Sequence, residues 1–302
     1  MPKILFIYNP HSGTGRIAAN LSDVADIFTK GGYEVVVYPT QSAGDCTRRV
    51  RAALKEGYDR IAAAGGDGML HELVEAVADA EERPILGYIP TGTVNDFAAS
   101  HGIPRNIREA AENIVRGVPT PLDAGRFEEA HFSYVAAFGI ITHVAYETDQ
   151  QIKNKLGSLA YFLEILKSMD LKHLNDATCF MRIAADGFET SGDFIFGAVM
   201  NSTSLGSIRD VFAKDVKFDD GLLEGIFIRR PKSLGELDEL KKRLFDKSLD
   251  ASCIEYVKSA EFRFEPEREI AWTLDGENGG SRRDVTIRAA QKAIRVVLPA
   301  KG

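Results

Sequence analysis

Two hydrophobic patterns, meeting near residue 125, predict a two-part fold: an α/β domain on a doubly wound parallel sheet, then an antiparallel β-sandwich domain. In the first 125 residues, short apolar runs alternate with amphipathic helical stretches. That alternation is the pattern of parallel strands joined by right-handed crossover helices. Beyond residue 126, strand-like runs follow one another with only two helical stretches between them, as in an antiparallel sandwich or barrel. The glycines supply the third observation. Each glycine-rich cluster of the first half follows a predicted strand, at the carboxyl edge where open α/β sheets bind ligands.

Taken in order, Lys3–Tyr8 (KILFIY) reads as a buried strand, NPHSGTG as the turn after it and residues 17–30 as a helix. Residues 33–38 form a second strand, followed by a helix over 45–56. A third strand, 59–64, runs into GGDG and a helix that ends at Val77; a fourth, 85–89, ends in PTGTVNDF. In the second half, 178–184 and 188–201 flank Ala-Asp-Gly, a hairpin signal. Strands are expected over 222–228, 254–264, 269–274, 285–288 and 293–298, and helices over 156–169 and 234–245. With no repeat, low-complexity tract or long linker, the two halves are expected to pack closely with a cleft between them.

Composition narrows the function classes. The chain has 302 residues, 44% of them apolar, which excludes intrinsic disorder. A net charge of −7 argues against bulk nucleic-acid binding, because neutralising phosphates needs a basic surface. Cys46, Cys179 and Cys253 are odd in number and contain no CxxC pair, so neither a zinc site nor a disulfide framework is expected, and a reducing cytoplasm fits. MPKILFIY runs straight into polar NPHSG and does not read as a signal peptide. The apolar stretch 132–141 falls short of the roughly 20 residues needed to cross a bilayer. Leu156, Leu159, Leu163 and Leu166 recur at helical spacing, which reads as core packing rather than a membrane-dipping face.

Three loops and two turns carry candidate chemistry. Gly13-Thr-Gly15-Arg-Ile-Ala18 loosely matches a dinucleotide fingerprint, but the second strand ends at Tyr38-Pro39-Thr40 without the acid a ribose would need. No Gly-Lys-Ser/Thr follows, so it is not a Walker A loop either. What remains is a turn that could hold a phosphate at a helix N-terminus, or simply a turn. Arg16, one turn into that helix, could balance phosphate charge or stand as an ordinary surface arginine. Gly65-Gly66-Asp67-Gly68 is sharper: three glycines let the backbone approach a ligand, and Asp67 can accept from a ribose or hold Mg2+ through water. Pro90-Thr91-Gly92-Thr93-Val94-Asn95-Asp96-Phe97 is a polar loop in which Thr93, Asn95 or Asp96 could also cap the next helix. Leu274-Asp275-Gly276-Glu277 reads as a hairpin turn with two carboxylates. Phe218-Asp219-Asp220-Gly221-Leu222 is a turn whose acids and carbonyls could bind Mg2+ or Ca2+.

Together, NPHSG at 9–13, GGDG at 65–68, PTGTVNDFA at 90–98 and LDGE at 274–277 resemble the bacterial diacylglycerol kinase-type lipid kinases, relatives of sphingosine and ceramide kinases. The order of the motifs and the 27-residue spacing from Gly65 to Gly92 make the resemblance specific over nearly the whole chain. It implies a nucleotide-binding domain over 1–125 to which about 290–302 return, and a β-sandwich substrate domain over 126–289. ATP would sit in the cleft and its γ-phosphoryl group would pass to a lipid hydroxyl. By matching motif, nucleotide contacts would come from Asn9, Pro10, His11, Ser12 and Gly13, from Thr40, from Gly66, Asp67, Gly68, Met69, Leu70, His71 and Glu72, and from Thr93. Asp67, Asp96 and Asp123 would be essential acids, Asp123 following the next strand. Asp275 and Glu277 are the candidate general bases, and Asp275→Ala or Asp67→Ala is expected to abolish transfer and leave the protein folded. A Mg2+ ion would be held by the side chain of Asp220 and the carbonyls of Lys217 and Leu222.

Such chemistry needs positioning and charge neutralisation more than covalent help, which suits glycine loops, Mg2+ and one carboxylate at the acceptor hydroxyl. The chain departs from the family at Met69, His71 and Ala99, where a hydroxyl residue, Asn and Arg are usual. The resemblance implies ATP and a lipid alcohol as partners, no nucleic acid, and peripheral contact with the inner face of the membrane. A homodimer is compatible with it. A soluble acceptor such as NAD and a non-catalytic nucleotide- or lipid-binding role are the competing readings.

Overall fold

The computed structural model describes residues 1–139, 174, 178–205, 208–209, 216–246 and 248–300. The chain divides into two compact units, Met1–Ala124 with Ala290–Gly302, and Gly125–Ala289. The helix expected over 156–169 lies outside the described residues.

In the first unit the strands β1 (Lys3–Tyr8), β2 (Glu34–Pro39), β3 (Arg60–Gly65) and β4 (Ile85–Pro90) pair in parallel in the order β4-β3-β1-β2. Between them run α1 (Arg16–Ala19), α2 (Leu21–Lys30), α3 (Asp45–Ala53) and α4 (Asp67–Val77); α5 (Asp96–His101), α6 (Ile107–Arg116) and β5 (Val118–Phe127) follow. Ile4, Phe6, Ala62, Ala64 and Ile89 pack against Val24 and Phe28 of α2 and against Ala110, Ala111 and Ile114 of α6. Because side chains alternate along a strand, Leu5 and Ile7 serve the opposite side of the sheet, and both are fully buried. Each large side chain removed from water in this way contributes about 1.5–3 kcal/mol. The helix expected over 17–30 breaks at Asn20, whose side-chain amide donates to the Arg16 carbonyl at 2.8 Å. Asn competes with the helical backbone in this way.

The second unit is antiparallel. Its strands are β6 (Ala130–Phe132), β7 (Val135–Gly139), β8 (Cys179–Ala185), β9 (Phe188–Met200), β10 (Ser204–Leu205), β11 (Ile208–Arg209), β12 (Leu223–Arg229), β13 (Ile254–Ser259), β14 (Glu261–Pro266), β15 (Ile270–Leu274), β16 (Glu277–Arg282) and the start of β17 (Val285–Leu298), whose end belongs to the first unit. The helix α7 (Leu234–Phe245) precedes β13, with Ser233 capping its Glu236 amide at 3.2 Å. The long strand β9 pairs with β8 through its first half and with both β7 and β12 through its second, so the sandwich branches there. Its core is aromatic: Trp272 meets Phe138 at 4.9 Å and Phe264 at 5.1 Å between ring centroids, both edge to face.

Three further expected elements differ. The run 254–264 is two strands, β13 and β14, turning where the Ser259 hydroxyl accepts from the Asp186 and Glu261 amides. The pieces 285–288 and 293–298 are one strand, β17, whose start pairs with β14 and whose Val296 pairs with Leu86 of β4. The hairpin after β15 closes on β16, not on residues 285–288. ENGGSR carries no apolar alternation, so only its pairing with β15 makes it a strand. Among the described residues, no helix is long and apolar enough to cross a membrane.

Candidate active site

The carboxyl ends of β1, β3 and β4 carry the three loops that the sequence singles out. After β1, the Asn9 amide donates to the Ala64 carbonyl at 3.1 Å, fixing the loop to β3. The Asn9 side chain then accepts the His11 amide at 2.9 Å, and its carbonyl accepts the Ser12 amide at 3.1 Å. Asn9 thereby shapes the turn containing Pro10 and Gly13 through its own side chain. The Ser12 and Thr91 hydroxyls lie 2.9 Å apart, linking this loop to the one after β4. Thr40, at the end of β2, is mostly buried and donates its amide to the Tyr8 carbonyl at 2.9 Å.

The second and third loops are locked together. The Asp67 Oδ2 accepts the backbone amide of Asn95 at 2.8 Å, across 28 residues of chain. Asn95 holds a left-handed backbone, φ 56°, and occupies the N-cap position of α5 without capping it. Its Oδ1 instead accepts the Gly92 amide at 3.1 Å, and its Nδ2 donates to the Gly92 carbonyl at 2.7 Å. Asn tolerates this conformation because its short polar side chain can bond locally. Beneath them the buried Tyr88 hydroxyl lies 3.1 Å from the Gly65 carbonyl and 3.3 Å from the Asn95 Oδ1. Burial, reinforced by the nearby Asp67 charge, pushes the Tyr88 phenol well up, so it stays a neutral donor. Neither Tyr88 nor the loop-closing role of Asn95 carries a recognisable sequence signal.

Several residues expected at the ligand are spent inside the fold. Glu72 is one: its Oε1 accepts the Gly44 amide at 2.7 Å and its Oε2 the Cys46 amide at 3.0 Å, capping α3 from the neighbouring helix. Met69 and Leu70 are buried, so they offer a ligand only backbone, while Gly68, His71 and Thr93 keep access to solvent. Asp96 is 1% exposed and Asp123 is 1% exposed. Asp123 lies inside β5 rather than after a strand, and its Oδ1 accepts the Lys292 amide at 2.6 Å. Both acids are therefore enclosed in the fold, and Asp123 stands within a strand where the sequence placed it after one. His101, in the same helix as Asp96, packs its ring 4.3 Å from that of Phe97, and burial pushes it down to about 3.

In the second unit, Asp275 and Gly276 both adopt positive φ, 52° and 86°, between the paired Leu274 and Glu277. This is the two-residue hairpin turn that Asp-Gly favours. Asp275 is 3% exposed, and among the described residues its carboxylate accepts four hydrogen bonds. Oδ2 takes the Ser133 amide at 2.7 Å and its hydroxyl at 3.0 Å; Oδ1 takes the amides of Tyr134 at 2.9 Å and Val135 at 3.1 Å. Such a carboxylate organises the turn, its oxygens engaged by backbone and hydroxyl donors. Glu277, two residues on, is exposed. Ser133, the main partner of Asp275, belongs to no motif visible in the sequence.

The 217–222 segment presents oxygen donors only. The Asp220 Oδ1 accepts the Leu222 amide at 3.1 Å, and Gly221 has φ 77°. Close by, Glu224 is buried against Lys258 at 3.1 Å, yet its Oε2 has no hydrogen-bond partner among the described residues. Burial pushes the Glu224 carboxyl up to about 7, against the pull of Lys258 and with a smaller push from Asp220. An orphaned buried oxygen beside hard carboxylate and carbonyl donors fits a divalent cation such as Mg2+. No cluster of three or more His, Cys, Asp or Glu side chains suited to a metal occurs among the described residues.

Comparison with known proteins finds similar chains. A family model described as the diacylglycerol kinase catalytic domain matches residues 3–127. The chain is 31% identical over 281 residues to the diacylglycerol kinase of Bacillus subtilis (strain 168), covering 93% of this chain and 91% of that one. It is 32% identical to the Staphylococcus aureus (strain bovine RF122 / ET3-1) diacylglycerol kinase, over 91% of this chain and 85% of the other. A crystal structure of a diacylglycerol kinase from Bacillus anthracis str. Sterne superposes with a TM-score of 0.84 at 27% identity, covering 99% and 97% of the two chains.

Proposed function

The chain belongs to the diacylglycerol kinase family and is a kinase, and from that premise we propose that it transfers the γ-phosphoryl group of ATP, with Mg2+, to the hydroxyl of a lipid such as diacylglycerol. The observation that carries the nucleotide half of this reading is the lock between Asp67 and Asn95, at 2.8 Å. It ties two glycine loops together at the carboxyl ends of neighbouring parallel strands, so that the loop amides these bonds do not use, unlike those of Gly92 and Asn95, would meet phosphate oxygens. Preorganised amides of this kind hold phosphates without side-chain charge. The lipid acceptor is supported by the names of the relatives that match nearly the whole chain.

In the transfer, the acceptor oxygen attacks the γ-phosphorus, the new O–P bond forms as the bond to the β,γ-bridging oxygen breaks, and ADP leaves. The hydroxyl proton goes to a carboxylate, and we assign Glu277, since Asp275 is saturated by its four hydrogen bonds. The Asp220 carboxylate and the carbonyls of Lys217 and Leu222 would hold a Mg2+ ion, which when bound neutralises local negative charge. Asn9, Ser12 and Thr91 keep the first loop in register with the third, and Tyr88 props the second against it.

The test is transfer of labelled phosphate from ATP with Mg2+ to diacylglycerol, monoacylglycerol, ceramide and sphingosine in mixed micelles, with NAD as a soluble acceptor. A labelled lipid is the expected product. Labelling of NAD alone, or ATP binding with no transfer to any acceptor, would overturn the lipid-kinase reading.

A further inference from the structure

The loop after β4 borders a cavity of about 540 Å3 whose walls include Arg16, Thr91, Gly92, Thr93, Asn95 and Arg105. Among the described residues its lining contains two guanidinium groups and two hydroxyls but no carboxylate, in a chain whose net charge is −7. Arg105 sits between α5 and α6, exposed, and donates one Nη2 hydrogen to the Val94 carbonyl at 2.7 Å. No carboxylate among the described residues pairs with it. An arginine tethered through one N–H keeps its fork of remaining donors free and its plane oriented, which is the geometry that recognises phosphate bidentately.

Building on the nucleotide reading above, we propose that Arg105 is a polyphosphate-binding residue. Tied to the loop that Asp67 and Asn95 lock, it contacts the distal phosphates of the bound nucleotide and makes the site discriminate ATP from AMP. Arg105 lies outside every motif of the sequence, nine residues beyond Asp96, and reaches the loop only because α5 is short and turns back at Gly102, φ 66°. The tether to Val94 fixes the guanidinium relative to the amides of the same loop, so binding needs little side-chain ordering.

The experiment measures ATP, ADP and AMP binding by calorimetry to the intact protein and to the Arg105→Gln and Arg105→Lys variants, with melting temperatures recorded for each. A lost charge-assisted phosphate contact is expected to weaken ATP binding about 10- to 100-fold in Arg105→Gln. AMP binding should stay within about twofold, and Arg105→Lys should fall between Arg105→Gln and the parent protein. A merely structural role would lower ATP and AMP affinity together with the melting temperature, and would overturn the proposal. Unchanged ATP affinity in Arg105→Gln would overturn it too. So would loss of binding to phosphatidate-containing micelles with ATP affinity unchanged, which would assign the guanidinium to a lipid phosphate. If the parent protein itself binds no ATP, the kinase reading fails first, and the two failures are distinguished.

Discussion

Gly66 and Gly92 meet backbone to backbone: a Cβ on Gly92 would lie 2.5 Å from the Gly66 Cα and 2.9 Å from the Asn95 Oδ1. The approach is asymmetric, because a Cβ on Gly66 would clear the Gly92 Cα by 3.4 Å, ordinary contact. Gly92→Ala is therefore expected to force the two loops apart, costing about 1–3 kcal/mol by chemical denaturation and most of the phosphoryl transfer. Gly66→Ala, at φ −86°, should fold with much less loss. Equal effects of the two substitutions would contradict the close approach.

Asp275 and Glu277 should separate cleanly. Asp275→Ala strands the amides of Ser133, Tyr134 and Val135 without their acceptor, a destabilisation on the order of 3–6 kcal/mol. This runs against the sequence-based expectation that the variant stays folded, and urea denaturation decides between the two. Glu277→Gln removes only an exposed carboxylate and should leave the melting temperature nearly unchanged while lowering kcat with little change in KM for ATP. Full activity in Glu277→Gln would remove it as the proton acceptor.

Glu72→Gln is expected to act on the fold. The amide of the new side chain would face a backbone N–H of Gly44 or Cys46 where the carboxylate accepted it, and α3 would lose an anion at its N-terminus. We expect a loss of about 1–2 kcal/mol in urea denaturation. A variant as stable as the parent, with impaired ATP binding, would restore Glu72 to the ligand.

Glu224 sets a pH dependence of defined sign. Its folded-state carboxyl is raised from 4.5 to about 7, chiefly by burial, so between those values the folded protein binds a proton that the unfolded chain has lost. The contribution of this group to stability is therefore fully present below pH 4.5 and falls as pH rises to about 7. The difference in melting temperature between the parent and Glu224→Gln should drift against the parent across that window. With Mg2+ bound at Asp220 the drift should shrink, because the cation favours the ionised carboxylate. A pH-independent difference would show that Glu224 ionises as it does in the unfolded chain.

The parallel half was legible because its signals are local. Alternating apolar runs place β1 to β4, and glycine clusters at their ends mark where a backbone must come close to something. The helix expected over 234–245 forms over Leu234–Phe245, where Ser233 and Glu236 make a local Ser-x-x-Glu start. The strand β16 could not be read this way, since ENGGSR has no apolar face and is a strand only because β15 lies beside it. Nor could the split at Ala260, which depends on Asp186 reaching Ser259 across 73 residues.

The sequence by itself determined the fold class, the family and where the glycine loops fall, because strand alternation, turn glycines and short motifs are properties of neighbouring residues. Only the tertiary structure decided how the acids divide. Asp67, Asp96, Asp123 and Asp275 look equivalent in the chain, yet burial and distant backbone amides claim Asp123 and Asp275, while Glu277 stays in solvent. A carboxylate's role follows from what lies around it, and those neighbours arrive from positions up to 169 residues away.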